Sequence, residues 1–98
     1  MQTDGTKIYK QAADLENISE LDQFKNLCRT DSVVLLNLNH NIIRSLDGIS
    51  RFGSLIELHL SGNCIKSMKG VEFLSYLQIL DLSCNQVRYF PNYCVSCQ

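Results

Sequence analysis

Cys94 and Cys97, in the segment Cys94-Val95-Ser96-Cys97, form a CxxC, a spacing used for zinc binding and for thiol redox chemistry. A closed structural zinc site wants four ligands, and the chain offers no second pair of similar spacing. Redox use places a CxxC at a helix N-terminus within a βαβ unit, and this one falls in the last residues of the sequence. The expectation is therefore no metal and no cofactor, with Cys94 and Cys97 kept as the alternative thiol or zinc site. The other cysteines are Cys28, Cys64 and Cys84. The odd count of five, with no apolar signal segment at Met1-Gln2-Thr3-Asp4-Gly5-Thr6-Lys7, favours free thiols over a disulfide framework. HExxH metal motifs and phosphate-cradling glycine loops are absent.

Ninety-eight residues suffice for one small domain and exclude a large multi-layer enzyme. Apolar residues make up 45% and charged residues 19%, enough core material to fold. The net charge of −1 lacks the basic footprint of an autonomous nucleic-acid binder. Residues 1–31 carry four basic and six acidic side chains and the remainder five and four, so neither part is a charged tail. No run approaches a membrane span, and the expected location is intracellular.

What must position any site is a 22-residue repeat. Val33, Leu55 and Leu77 align, as do Leu36, Leu58 and Leu80; Leu38, Leu60 and Leu82; and Ile43, Ile65 and Val87. Asn41, Asn63 and Asn85 keep the same register, followed by Leu46, Met68 and Phe90, then Gly48 and Gly70, Ile49 and Val71, and Phe52 and Leu74.

These residues, typified by Leu55-Ile56-Glu57-Leu58-His59-Leu60-Ser61-Gly62-Asn63-Cys64-Ile65, resemble the leucine-rich-repeat family in its 22-residue intracellular class. The match covers residues 33–90. The class includes proteins similar to type-1 phosphatase regulatory subunits, axonemal dynein light chains, tubulin-folding cofactors, centrosomal and ciliary scaffolds, and a spliceosomal ribonucleoprotein subunit. The resemblance implies a non-catalytic protein-binding module, an adaptor, scaffold or regulatory subunit. It also implies a cytoplasmic setting, with cytoskeletal, ciliary, centrosomal and nuclear locations open.

The residues support the same architecture directly. In Leu58-His59-Leu60 the period-two alternation sends both leucines to one side of a short strand and His59 to the other. After each asparagine the apolar spacing changes to about three, as in Ile43, Leu46, Ile49 and Phe52, which suits a 3₁₀ or short helical return. The expected fold is an α/β solenoid: a short coil stack with a concave parallel β-sheet and a convex side of 3₁₀, short-helix or loop segments. Asn41, Asn63 and Asn85 are expected to form a structural ladder, their amides satisfying backbone groups where the chain leaves each strand. Gly48 and Gly70 are read as tight turns between coils.

The outward strand positions form columns: Leu35, Glu57 and Ile79; Asn37, His59 and Asp81; Asn39, Ser61 and Ser83; and His40, Gly62 and Cys84. The first three columns are the expected partner-binding face. Leu35 and Ile79 mark it, since a large aliphatic side chain gains nothing from pointing outward unless something covers it. His59 beside Asp81 suggests an oriented imidazole, but no nucleophile is placed to complete a catalytic set, and the chain is not expected to be an enzyme. Lys66 and Lys69, with Arg44 and Arg88, form a modest basic edge read as a solvated face.

By count the chain divides into a loose N-terminus (1–7), a degenerate capping repeat (8–32), repeats at 33–54 and 55–76, and a last repeat (77–98) whose second half departs from the pattern. Leu15, Ile18, Leu21 and Phe24 match Ile43, Leu46, Ile49 and Phe52 at an offset of 28. Lys10 and Ala13 stand where an interior leucine and the ladder asparagine belong, so an irregular first strand is expected. The final repeat suggests a truncated product or isoform, with Tyr89, Phe90 and Tyr93 as an improvised lid and an uncapped end able to dock a partner.

Overall fold

Leu36, Leu58 and Leu80 each stand at the centre of a three-residue strand, with outward neighbours on either side. The computed structural model describes residues 7–23 and 30–87. Four strands, β1 (Lys7–Tyr9), β2 (Leu35–Asn37), β3 (Glu57–His59) and β4 (Ile79–Asp81), form one parallel sheet in chain order. The register aligns Leu35 with Glu57 and Ile79, and Leu36 with Leu58 and Leu80. The 22-residue period of the leucines is thus the period of the sheet.

Strands this short are held by pairing that continues past their ends. Leu38 N–H donates to His59 O (2.8 Å), His40 N–H to Ser61 O (2.8 Å), Leu60 N–H to Asp81 O (2.9 Å) and Gly62 N–H to Ser83 O (3.0 Å). Asn39, Ser61 and Ser83, read as strand positions, therefore lie in turns just beyond the strands while staying in the ladder.

Between strands the chain returns through 3₁₀ turns at Ile18–Gln23, Thr30–Ser32, Ile49–Arg51 and Val71–Phe73. Gly48 (φ 90°) and Gly70 (φ 109°) open the last two, in the positive-φ region that favours glycine. In the first, the Glu20 carboxylate accepts the Glu16 and Asn17 N–H groups at 2.6 and 3.1 Å, covering donors that a helix start leaves open. Ile18, Leu21, Leu46, Ile49, Phe52, Val71 and Leu74 pack from this side against Leu36, Leu38, Leu58, Leu60, Leu80 and Leu82 in one core.

The first repeat differs from expectation. Its strand is regular: Lys7, Ile8 and Tyr9 pair with Leu35, Leu36 and Asn37, with Ile8 buried in the leucine layer. Lys7, assigned above to a loose end, is the first residue of β1. Parallel pairing uses backbone groups, so one inward apolar side chain suffices to seat this strand. Phe24, Cys28 and residues 88–98, which include Tyr89, Phe90 and Tyr93 of the expected aromatic lid, lie outside the described residues. Among the described residues no helix is long and apolar enough to cross a membrane.

Candidate functional site: the open sheet face

The asparagine positions explain how the sheet face is held. Asn63 Nδ2 donates to Leu38 O (3.1 Å) and Leu60 O (3.0 Å), while its Oδ1 accepts Ile43 N–H (3.0 Å). Asn85 repeats this one unit later, with Nδ2 on Leu60 O (2.6 Å) and Leu82 O (3.2 Å) and Oδ1 on Ile65 N–H (2.9 Å). Asn41 opens the series, donating to Lys10 O and Leu38 O (both 2.9 Å) and accepting Ala13 and Leu15 N–H. Each amide thus bridges two units where the backbone turns out of the sheet, the place where ladder partners run out.

One further regularity lies just before each ladder position, which is Ala13 in the first unit and asparagine in the other three. Ala12, His40, Gly62 and Cys84 all have positive φ, between 51° and 73°, at matching positions. The chain turns there through the left-handed region, and three of the four residues are not glycine. Left-handed backbone costs an L residue about 1–2 kcal/mol, so the asparagine bonds must outweigh that cost at Ala12, His40 and Cys84.

The outward columns stand as the alternation implies and gain members the sequence reading left out. Register extends them to Lys7, Leu35, Glu57 and Ile79, and to Tyr9, Asn37, His59 and Asp81. Lys7 and Tyr9 were missed because the first strand was expected to be irregular. The 28-residue offset that aligned Leu15 with Ile43 carries the signal for both. Ile79 and Tyr9 are 39% and 38% exposed and Leu35 is half-buried, so the face presents apolar contact points among polar groups.

His59 does not pair with Asp81. Its Nε2 lies 3.1 Å from Glu57 Oε1 on its own strand, and since the carboxylate can only accept, Nε2 carries the proton. Asp81 instead turns to its own loop, where Oδ1 accepts Ser83 N–H (3.0 Å) and lies 2.7 Å from Ser83 Oγ. Ser83 Oγ is also 2.9 Å from Ser61 Oγ. With one hydroxyl proton, Ser83 donates to the carboxylate and accepts from Ser61. Asn39 Oδ1 accepts Ser61 N–H (2.7 Å), and Asn37 Oδ1 accepts Asn39 N–H (3.1 Å). The imidazole and the carboxylate expected to orient it are held by different partners.

The remaining candidates fall elsewhere. Cys64 is half-buried, Cys84 exposed, and both are free thiols. Among the described residues no group of three or more His, Cys, Asp or Glu is placed to hold a metal ion. Cys94, Cys97 and Arg88 lie outside the described residues. Arg44, Lys66 and Lys69 are exposed. Among the described residues, open concavities lie away from the sheet face. One of about 340 Å³ is lined by Arg44, Cys64, Lys66 and Gln86. Another, of about 160 Å³, lies between the two glycine turns against Lys69 and Phe73.

The Glu72 carboxyl at the second glycine turn is held below the usual glutamate range. Its own backbone N–H contributes most, then the Gly70 N–H at 2.8 Å, with Lys69 adding less. Chemically, the sheet face offers area, apolar contact points and groups already hydrogen-bonded to one another, a surface suited to holding a partner. No known family model matches the chain, and no curated protein matches it.

Proposed function

We propose that the chain is a short leucine-rich-repeat solenoid that binds a protein partner on its concave sheet without catalysing a reaction, as an adaptor, scaffold or regulatory subunit in an intracellular setting. The observation that carries this reading is the in-register parallel sheet with Leu35, Tyr9 and Ile79 on its outward positions. A large apolar side chain at an outward position is stabilised only when another surface covers it. The binding residues of this reading are Leu35, Asn37, Asn39, Glu57, His59, Ser61, Ile79, Asp81 and Ser83, with Lys7 and Tyr9 added from β1.

The test compares the wild type, a Leu35→Asp and Ile79→Asp variant, and a Tyr76→Asp control in capture from cell lysate, after circular dichroism has shown that all three fold. Tyr76 is 67% exposed and lies after the Val71–Phe73 turn, away from the columns. A partner lost in the double variant and kept in the control supports the reading. A partner kept by the double variant removes the sheet face from the interaction.

A further inference from the structure

The side of the molecule where the chain leaves each ladder asparagine brings two cations into one column. Arg44 and Lys66 follow Ile43 and Ile65, whose N–H groups are fixed by Asn63 Oδ1 (3.0 Å) and Asn85 Oδ1 (2.9 Å). Cys64 N–H donates to Ile43 O and Gln86 N–H to Ile65 O, both at 2.9 Å. The segments carrying the two cations are therefore stacked in register, at a backbone spacing of about 5 Å.

Both side chains are exposed, and neither has an ion-pair partner among the described residues. Glu16, at the matching position one unit earlier, pairs with neither. No acidic side chain is among the described residues lining the 340 Å³ concavity that they share with Cys64 and Gln86. Like charges held on adjacent stacked segments repel, and a chain with a net charge of −1 has no general basic character to account for the pairing.

We propose that this concavity is an oxyanion site that takes a phosphoryl group. The Arg44 guanidinium offers a planar fork for two oxygens, the Lys66 ammonium a point charge for a third, and the Gln86 amide a neutral donor. A single tetrahedral dianion spans two cations one unit apart and cancels their repulsion. Free inorganic phosphate and a phosphorylated side chain of another protein share this chemistry. The site is separate from the sheet face, so its test is independent of the partner-binding reading.

The experiment titrates the full chain with inorganic phosphate and follows backbone amide resonances, with sodium chloride at matched ionic strength as control. Saturable shifts confined to residues 43–44, 64–66 and 86 are expected, with about tenfold or greater weakening in Lys66→Gln and in Arg44→Ala. Arg44→Lys keeps the charge, loses the fork and should weaken binding less than Arg44→Ala. A short phosphoserine peptide that binds at least tenfold more tightly than phosphate assigns a protein-borne group, and equal affinity assigns the free ion; either supports the site. Shifts reproduced by chloride, or unchanged in the Arg44→Ala and Lys66→Gln double variant, overturn it.

Discussion

Replacing Asn63 by alanine tests the ladder at its middle member. Asn63 is 7% exposed, and its amide makes three hydrogen bonds of 3.0–3.1 Å to backbone groups on two units, with Ser61 O farther off at 3.4 Å. The three are not equally dependent on it. Leu38 O also receives Asn41 Nδ2 at 2.9 Å, and Leu60 O also receives Asn85 Nδ2 at 2.6 Å. Both carbonyls therefore keep a donor in Asn63→Ala. Ile43 N–H, in a fully buried residue, loses its acceptor.

An orphaned buried donor costs about 1–3 kcal/mol, and each of the two lost amide–carbonyl bonds about 0.5–1.5 kcal/mol, giving roughly 2–6 kcal/mol in all. Native domains are stable by about 5–15 kcal/mol, so the loss is a large share of the total. In urea, with a slope of about 1–3 kcal/mol per molar, it lowers the midpoint by about 1 M or more. Asn63→Asp separates acceptor from donor: an Oδ atom still faces Ile43 N–H, but the carboxylate can donate to neither Leu38 O nor Leu60 O. Facing carbonyl oxygens, the new carboxyl titrates above the ordinary aspartate value of about 3.9. Its folded pKa then exceeds its unfolded one, so stability falls as pH rises through the unfolded value and levels off above the folded one. Urea unfolding at several pH values reads both effects. A loss below about 1 kcal/mol in Asn63→Ala, or an Asn63→Asp variant whose stability relative to the wild type is the same at pH 7 as at pH 3.5, refutes the accounting.

Three further outcomes follow from the turns. Gly70→Ala should cost more than Gly62→Ala in urea unfolding. At Gly70 φ is 109° and a Cβ would lie 3.2 Å from Cγ2 of buried Ile49, whereas at Gly62 φ is 73° and the 2.6 Å contact is with the ring of exposed His40, which can rotate; the Gly62 cost should be about 1–2 kcal/mol, and the reverse order sinks the argument. Cys84→Gly, at φ 57°, should raise the urea midpoint by relieving a left-handed residue, an effect of about 1 kcal/mol at most once the added freedom of the unfolded chain is subtracted, and a lower midpoint counts against it. Glu72 should titrate below the ordinary glutamate range by side-chain carbon NMR; the stability it adds to the turn is present above the unfolded value and lost as pH falls through the depressed one, and Glu72→Gln should abolish that dependence.

The sequence exposes those parts of this fold that depend on which side a residue takes. Period-two alternation around Leu36, Leu58 and Leu80 and the change to a spacing of about three after each asparagine place the buried residues, because burial selects residue type directly. Positive φ at Ala12 and Cys84 was hidden, since alanine and cysteine carry no left-handed signature, and the modest enrichment of histidine in that region is too weak to mark His40 alone. β1 was hidden by its composition: Lys7 and Tyr9 face outward and only Ile8 carries the pattern. The His59 contact was misjudged because register places Asp81 beside it but does not decide where a carboxylate points. Ser83, two residues along, offers Asp81 a backbone N–H and a hydroxyl at once. That local pair competes with the longer-range one and is closer at hand.

The same network divides the labour on the sheet face. Asn39 Oδ1 holds Ser61 N–H across units, and Ser61, Ser83 and Asp81 form a continuous hydrogen-bonded chain. A partner that engaged these side chains would first have to break bonds that pin the turns leading into the asparagine ladder. Lys7, Leu35, Glu57 and Ile79, together with Tyr9 and His59, project from strands whose backbone pairing does not involve their side chains. Under the proposed binding role, selectivity therefore rests on these two columns, while positions 39, 61 and 83 fix the shape they are presented on. Substitutions should separate accordingly: Ile79→Asp loses affinity at unchanged stability, whereas Ser83→Ala removes two hydrogen bonds from the turn and lowers stability along with affinity.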